Sequence, residues 1–272
     1  MSFDPKRGSY YRMPVFFGPT PGPRQWPPGL TCDFEKTPKR KAIAVRYLTD
    51  AVKLAAHLPD CFEIWGEPVV TVEITYMWEL AWLAGRGYNM GDIKIPAIFK
   101  GKNGPIHGTL LMVRFEDLAD PILSGREELG HNKLWCEMPP LRYHEGTVAT
   151  RLSWLHHPFL EISAWDLSDA PAPASDPLHK GLLSYKYLPR TGEWGTADVE
   201  YATLTPPAWS GRVTHRQTGK GKVEFLESKW EDLPTLYHLV NAMHALPMLE
   251  PRGAVVYEME GGASGDETHI IE

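Results

Sequence analysis

The sequence predicts a mostly-β domain of the α+β class, an antiparallel sheet or closed barrel with a few flanking helices. In residues 69–76, Val70, Val72, Ile74 and Tyr76 alternate with Thr71, Glu73 and Thr75, the period of two that sends successive side chains to opposite faces of a sheet. The same alternation returns at residues 182–188 and 199–204, whereas only two stretches carry helical spacing. Many strands with few helices point to a layered or closed sheet.

Taken in order, residues 1–38 are an arm. Pro14, Pro19, Pro21, Pro23, Pro27 and Pro28 remove backbone donors and fix φ, so this stretch is expected to run extended along a surface. Residues 39–260 form one domain and residues 261–272 a flexible tail. A short helix follows Thr49 as N-cap, burying Leu54, Ala55 and Leu58. A longer one follows Asp232, with Leu236, Leu239, Val240, Met243 and Leu246 on one stripe. The Pro/Ala/Ser stretch at residues 168–177 reads as a loop between like flanks, and Gly219 with Gly221 as a turn between strands.

With 272 residues, 43% of them hydrophobic, the chain can bury a sizeable core. Its formal charge of −6 gives no electrostatic reason to expect nucleic acid or an anionic membrane as partner. The N-terminus is polar and lacks an apolar run, so neither a secretory signal nor an anchor is expected and the location reads as cytoplasmic. Cys32, Cys61 and Cys136 are odd in number and widely spaced, which suits reduced structural thiols. The pair His156-His157, with His179 and His215, lacks the spacing of a metal site, and no dinucleotide or phosphate motif occurs, so neither metal nor cofactor is expected. The tryptophans have no accompanying basic stripe and read as core or pocket lining.

Residues 124–135 carry the chemistry. Gly125 and Gly130 bracket a charged turn, either one helical turn stopped by Gly130 or a tight loop, after which residues 133–137 resume as a strand. That strand points Lys133, Trp135 and Glu137 to one face. Taken alone, such a segment is a solvated turn with an edge lysine.

The wider pattern overturns that reading. Gly125-Arg126-Glu127 followed by Lys133 resembles the signature of the acetoacetate decarboxylase superfamily. Upstream, Tyr88, Ile95-Pro96, Phe99 and Gly101 resemble the family's tyrosine, proline and glycine run. Val72-Glu73-Ile74 resembles its acidic strand, residues 47–59 its first helix, and residues 249–257 its closing strand. The resemblance implies an antiparallel barrel with flanking helices, assembly as homo-oligomers, and a lysine in the barrel interior that forms a Schiff base with a small keto acid. A free amine is required for that step. An ordinary lysine, with a pKa near ~10.4, is neutral only a few parts in ten thousand at pH 7, and lowering it to about 7 costs roughly 4 kcal/mol of differential solvation.

Carried over residue by residue, the resemblance makes Lys133 the nucleophile and Glu73 a group that positions substrate or moves a proton. Tyr257 can donate a proton and Arg40 faces the substrate carboxylate. Met90, Leu134 and His131 line the substrate site, His131 as a possible relay. Arg126 and Glu127 are expected to pair within the turn and hold Lys133 in place. Two positions depart from the family pattern. The second lysine is replaced by Leu134, leaving desolvation to activate Lys133, and the second glutamate falls on Met90, with Asp92 two residues on and on the same strand face. These losses favour a lyase performing aldol condensation or dehydration. The alternatives are a β-keto acid decarboxylase activated by burial, and a binding or biosynthetic module that keeps the barrel without imine chemistry.

Overall fold

The computed structural model describes residues 6–272 apart from Cys32, Pro173, Ser175 and residues 208–210 and 263–266. Its strands are β1 (Lys39–Leu48), β2 (Phe62–Ile64), β3 (Val69–Trp78), β4 (Tyr88–Gly101), β5 (Gly104–Glu116), β6 (Lys133–Trp135), β7 (Arg142–His144), β8 (Thr147–Trp154), β9 (His157–Asp169), β10 (Leu182–Pro189), β11 (Ala197–Thr205), β12 (Arg212–Phe225), β13 (Glu250–Glu260) and β14 (His269–Ile271). The α-helices are α1 (Ala51–Ala55), α2 (Ala119–Ser124) and α3 (Tyr237–His244), and a π-helical turn, Gly125–Leu129, continues α2.

All strands join one sheet in the order β14-β11-β10-β5-β4-β3-β1-β13-β12-β9-β8-β7, with β2 on β4 and β6 on β5. The sheet is mixed, because β10 and β6 both run parallel to β5, and its ladder does not close as the expected barrel would. It curls instead. Cys136 donates to the Glu116 carbonyl at 3.0 Å, and Glu137 and Ser153 exchange backbone bonds of 2.7 and 3.1 Å, so the segment after β6 meets β8.

Residues opposed across a ladder share a face, and one face is apolar. Ile43, Ile74, Gly91, Phe115 and Leu134 form one row; Val45, Val72, Ile93 and Val113 form the next. Leu152 of β8 fills the space over Gly91, where a Cβ would lie 2.9 Å from its Cδ1. Phe115 and Phe159 meet across this core with ring centroids 5.1 Å apart, both fully buried. Phe159→Ala is expected to cost about 3–5 kcal/mol. A urea titration should show it as a lower midpoint with an unchanged slope.

Several boundaries differ from the sequence reading. Asp50, not Thr49, caps α1, its Oδ1 accepting from the Lys53 N–H at 2.8 Å, because Thr49 is still tied to the neighbouring strand through Pro68. Ala55 consequently faces solvent while Leu54 is buried. Helix α3 starts at Tyr237, after Leu236, whose backbone (φ −123°, ψ −14°) is not helical. Gly219 and Gly221 lie inside β12 and not in a turn. A Cβ on Gly219 would sit 2.5 Å from the Trp165 carbonyl, and one on Gly221 2.6 Å from Ala254 Cβ, so close backbone approach explains both.

Strand β9 extends to Asp169, so the loop read at residues 168–177 starts later, and its Pro173 and Ser175 lie outside the described residues. The segment read as a tail ends in β14, where Ile271 is buried beside β11. The arm is anchored by ion pairs from Arg12 and Arg24 to Glu128. Cys61 and Cys136 are free thiols, and Cys32 is outside the described residues. Among the described residues, no helix is long and apolar enough to cross a membrane.

Candidate active site

The face opposite the apolar core is polar. Ala44, Glu73, Asp92, Arg114 and Lys133 stand opposite one another in a row across β1, β3, β4, β5 and β6; Tyr257, Ala42, Thr75, Met90 and Glu116 form the adjacent row. The π-helical turn packs on this face, its Gly125 lying directly against the Lys133 side chain.

The chain enters β6 through that turn. Gly130 ends it in the left-handed region, φ 75°, as a glycine stop requires. Thr203 Oγ1 donates to the Leu129 carbonyl at 2.9 Å and Lys186 Nζ to the Glu127 carbonyl at 2.5 Å, satisfying acceptors that a helix end leaves open. Asn132 Nδ2 donates to the Leu111 carbonyl at 3.0 Å and fixes the start of β6. Lys133 is thereby held with only 5% of its surface exposed.

The Lys133 amine lies 2.7 Å from Glu116 Oε1 and donates to the Pro121 carbonyl at 2.9 Å. Glu116 is fully buried, and neither of its oxygens has a further hydrogen-bond partner among the described residues. Burial pushes the lysine pKa down to about 8, with Glu116 opposing and Arg114 adding to the effect. Burial also raises the Glu116 carboxyl above its ordinary range, against the pull of Lys133 and Arg114. Burial thus shifts both groups toward their uncharged forms, while their mutual attraction opposes it.

Beside this pair runs a balanced chain of charges. Lys94 lies 2.9 Å from Glu73 and 3.6 Å from Asp92, and Arg114 grips Asp92 through two bonds of 2.6 and 2.7 Å. Although burial raises it, the Asp92 carboxyl is held below its ordinary value by Arg114 and Lys94. Two acids and two bases thus neutralise each other next to the Lys133 amine.

A pocket of about 480 Å³ opens onto Lys133. Arg40, Met90, Tyr88, Arg114 and His131 line it, together with Trp26 and Phe34 of the arm. Arg40 donates to the Gly261 carbonyl, and its Nε is buried without a partner among the described residues. His131 is buried; its Nε2 meets Thr205 Oγ1 at 3.2 Å, while Nδ1 has no partner there. Burial, with Arg114 and Lys133 nearby, pushes its pKa well below the ordinary value and keeps the ring neutral.

Other sequence candidates sit elsewhere. Leu134 points away from the amine and packs on the apolar core, because neighbouring strand residues face opposite ways. Glu73 and Tyr257 share the polar face but not the pocket wall. Glu73 is held by Lys94, and burial and contact with Glu73 raise the Tyr257 phenol well above its ordinary pKa. Arg126 does support Lys133, donating to its carbonyl at 2.9 Å, yet not through Glu127, since adjacent residues on a helical turn do not face each other. Glu128 is the acid of that turn with a long-range partner, receiving Arg12 and Arg24.

The acetoacetate decarboxylase (ADC) family profile matches residues 12–260. The chain belongs to the acetoacetate decarboxylase family. Among solved structures it is similar to acetoacetate decarboxylase from Legionella pneumophila subsp. pneumophila str. Philadelphia 1, with 20% identity, a TM-score of 0.64, and coverage of 87% of this chain and 88% of that one. It is also similar to the enduracididine biosynthesis enzyme MppR complexed with the condensation product of pyruvate and imidazole 4-carboxaldehyde, at 15% identity and TM-score 0.64, covering 91% and 94%. An acetoacetate decarboxylase-like enzyme from Sphingomonas wittichii RW1 shares 15% identity and a TM-score of 0.62, covering 83% and 90%. At these identities the likenesses establish the fold. Among curated proteins, none matches the chain.

Within this acetoacetate decarboxylase family member, β5 runs beside the two positions, 90 and 134, that the sequence resemblance singled out. Glu116 lies directly opposite Met90, bringing a carboxylate to the side of the sheet where position 90 has none. Arg114 lies directly opposite Lys133, bringing a cation although position 134 is leucine. Asp92 cannot serve as the free acid, because both its oxygens are held by Arg114. Sequence reading missed Glu116 and Arg114. The one available signal was that both fall on the polar face of a strand ending in the charged pair Glu116-Asp117.

Gly125 gives a direct check on this geometry. A Cβ there would lie 2.3 Å from Lys133 Cε and 2.6 Å from Nζ. Its backbone is helical, φ −71°, so alanine is tolerated by the main chain and only the lysine must move. Gly125→Ala is expected to leave the circular dichroism spectrum unchanged and to slow amine chemistry about 100-fold, the effect of roughly a 1 Å misplacement.

Proposed function

We propose that the protein is a lysine Schiff-base lyase acting on a small keto acid, and that it performs aldol condensation with dehydration in preference to acetoacetate decarboxylation. The observation that carries this reading is the buried amine of Lys133, held near neutrality beside a buried acid at the end of a pocket. The free amine attacks the ketone carbon, a C–N bond forms, and the oxygen takes a proton. Glu116, as the acid, protonates the departing hydroxyl, water leaves, and the resulting carboxylate offsets the iminium charge.

The choice between outcomes turns on what the acid does next. Decarboxylation breaks the bond to the carboxylate and needs no base, only an electron sink. Aldol chemistry must first remove a proton from the carbon next to the iminium, which suits a carboxylate at the distance of Glu116. The enamine then adds to an aldehyde carbon. The new hydroxyl leaves as water after a second proton transfer, and hydrolysis frees the lysine. MppR, named with a condensation product of pyruvate, offers a parallel for this order of events. Arg40, with an unpartnered buried Nε, and neutral His131 are the candidates for holding the keto acid's polar atoms.

Borohydride trapping tests the reading. Pyruvate should add one reduced adduct, mapped to the peptide containing Lys133. An adduct on any other lysine, or ligand-induced stabilisation with no adduct, contradicts it. Carbon dioxide released from acetoacetate faster than enone forms from pyruvate and an aldehyde would reverse the preference between reactions.

A further inference from the structure

His131 is a buried ring with one nitrogen engaged and one not. It lines the pocket that opens onto Lys133, yet only 5% of its surface is exposed. Its main chain is fixed on both sides, its own N–H donating to the Gly125 carbonyl at 3.1 Å and the Lys133 N–H donating to its carbonyl at 2.9 Å. Nε2 meets Thr205 Oγ1 at 3.2 Å, while Nδ1 is buried and has no partner among the described residues. A buried polar atom without a partner is costly, so Nδ1 is the atom of this ring that a bound molecule would satisfy.

The contact with Thr205 leads further. Thr205 is the last residue of β11, one position beyond the pairing of Leu204 with His269 of β14, and its Oγ1 lies 2.9 Å from Thr268 Oγ1. Thr268 is part-exposed, so His131, Thr205 and Thr268 make an unbroken file from a buried ring to a residue in reach of water. A hydroxyl both donates and accepts, so the file has two senses. Hydroxyl protons pointing inward leave the ring's hydrogen on Nδ1; pointing outward, they leave Nδ1 bare. Burial, with Arg114 and Lys133 nearby, disfavours the imidazolium. The ring therefore moves a proton by taking one at one nitrogen while giving one at the other.

We infer that His131, Thr205 and Thr268 are a proton relay, and that Nδ1 delivers the proton to the aldehyde oxygen as the enamine adds to it. This relay rests on the Schiff-base reading, in which Glu116 takes a proton from carbon and the aldehyde oxygen still needs a donor. In the addition step the enamine carbon bonds to the aldehyde carbon, the carbonyl electron pair moves to oxygen, and oxygen takes the Nδ1 proton. Nε2 takes the proton of Thr205, Thr205 takes that of Thr268, and solvent refills Thr268. Dehydration resets both groups. Nδ1, now bare, takes the second proton from the same carbon and the file runs outward, while Glu116 gives its proton to the hydroxyl, which leaves as water. Protons balance over the two steps, and the ring is neutral before and after each.

The test measures two rates on the full-length protein, borohydride trapping of pyruvate and enone formation from pyruvate and acetaldehyde. Trapping stops at the imine, before the aldehyde oxygen needs a proton, so the ratio of the two isolates the later transfer and cancels any loss of active protein. Thr205→Val keeps the side-chain shape and removes the hydroxyl; it is expected to lower the ratio of enone formation to trapping about 100-fold, the low end of general acid–base catalysis. Thr205→Ser keeps the hydroxyl and should restore the parent ratio. His131→Phe should lower the ratio at least as far, and adding Thr205→Val to it should cost nothing more, because groups in one hydrogen-bonded file act as a unit. A Thr205→Val ratio equal to the parent's overturns the relay. So does a serine variant as slow as the valine one, or a parent that traps pyruvate but forms no enone; in each case the pyruvate adduct persists and the imine reading stands. Absence of any pyruvate adduct in the parent overturns the imine reading, and the relay with it.

Discussion

Lys133→Ala is expected to abolish borohydride-trappable adducts and to lower turnover by about 10⁴-fold or more, the scale seen when a covalent nucleophile is deleted. No other lysine can take over. Lys94 is engaged by Glu73 and Asp92, and Lys186 by the Glu127 carbonyl. The fold should survive, because burial already raises the Glu116 carboxyl, so on loss of the lysine the acid can take up a proton in place of standing as an unpaired charge. Steady-state kinetics beside a thermal melt separate the two effects. Activity within tenfold of the parent would show that the chemistry lies elsewhere.

Glu116→Gln should give the second largest loss, about 10²- to 10⁴-fold in turnover, as expected for a general acid and base. Its pH profile carries the more specific signature. Trapping needs the free amine, so in the parent its rate rises with pH through about 8 and then levels. Glu116 is the main group that holds the lysine pKa up, with Asp92 the lesser one; with glutamine in its place, burial and Arg114 are opposed by Asp92 alone and the midpoint moves below that of the parent. A purely structural carboxylate would lower the amount of active protein without moving the midpoint down. An upward or unchanged midpoint would show that Glu116 does not set the proton balance of the site.

The fold was legible where alternation runs long. Val70, Val72 and Ile74 lie on the predicted face of β3, and the stripe of Leu236, Val240, Met243 and Leu246 is buried as its spacing implied. Lys133 was legible because Gly125, Gly130 and the charges between them mark a turn whose glycines have identifiable jobs: one makes room for the lysine side chain, the other stops the helix. That the ladder stays open was not legible, since it depends on how far the sheet curls, here only enough for an isolated bridge between Glu137 and Ser153. Glu116 and Arg114 were hidden for a related reason. Their importance comes from register, and a shift of one residue in β4 against β5 would send both to the apolar face. Leu134 was misjudged because adjacency along a strand was read as proximity, although the pleat separates neighbours. Arg126 and Glu127 failed to pair on the same ground, in helical form.

The account depends on a primary amine kept from water. Titration of the protein labelled at lysine Cε, followed by carbon NMR with Lys133→Arg to assign the signal, reads that property without any substrate. A single resonance with a midpoint near 8, absent from the Arg variant, is the predicted result. A Lys133 signal with the ordinary lysine midpoint of ~10.4 would contradict it, because the amine would then be charged and unreactive at neutral pH.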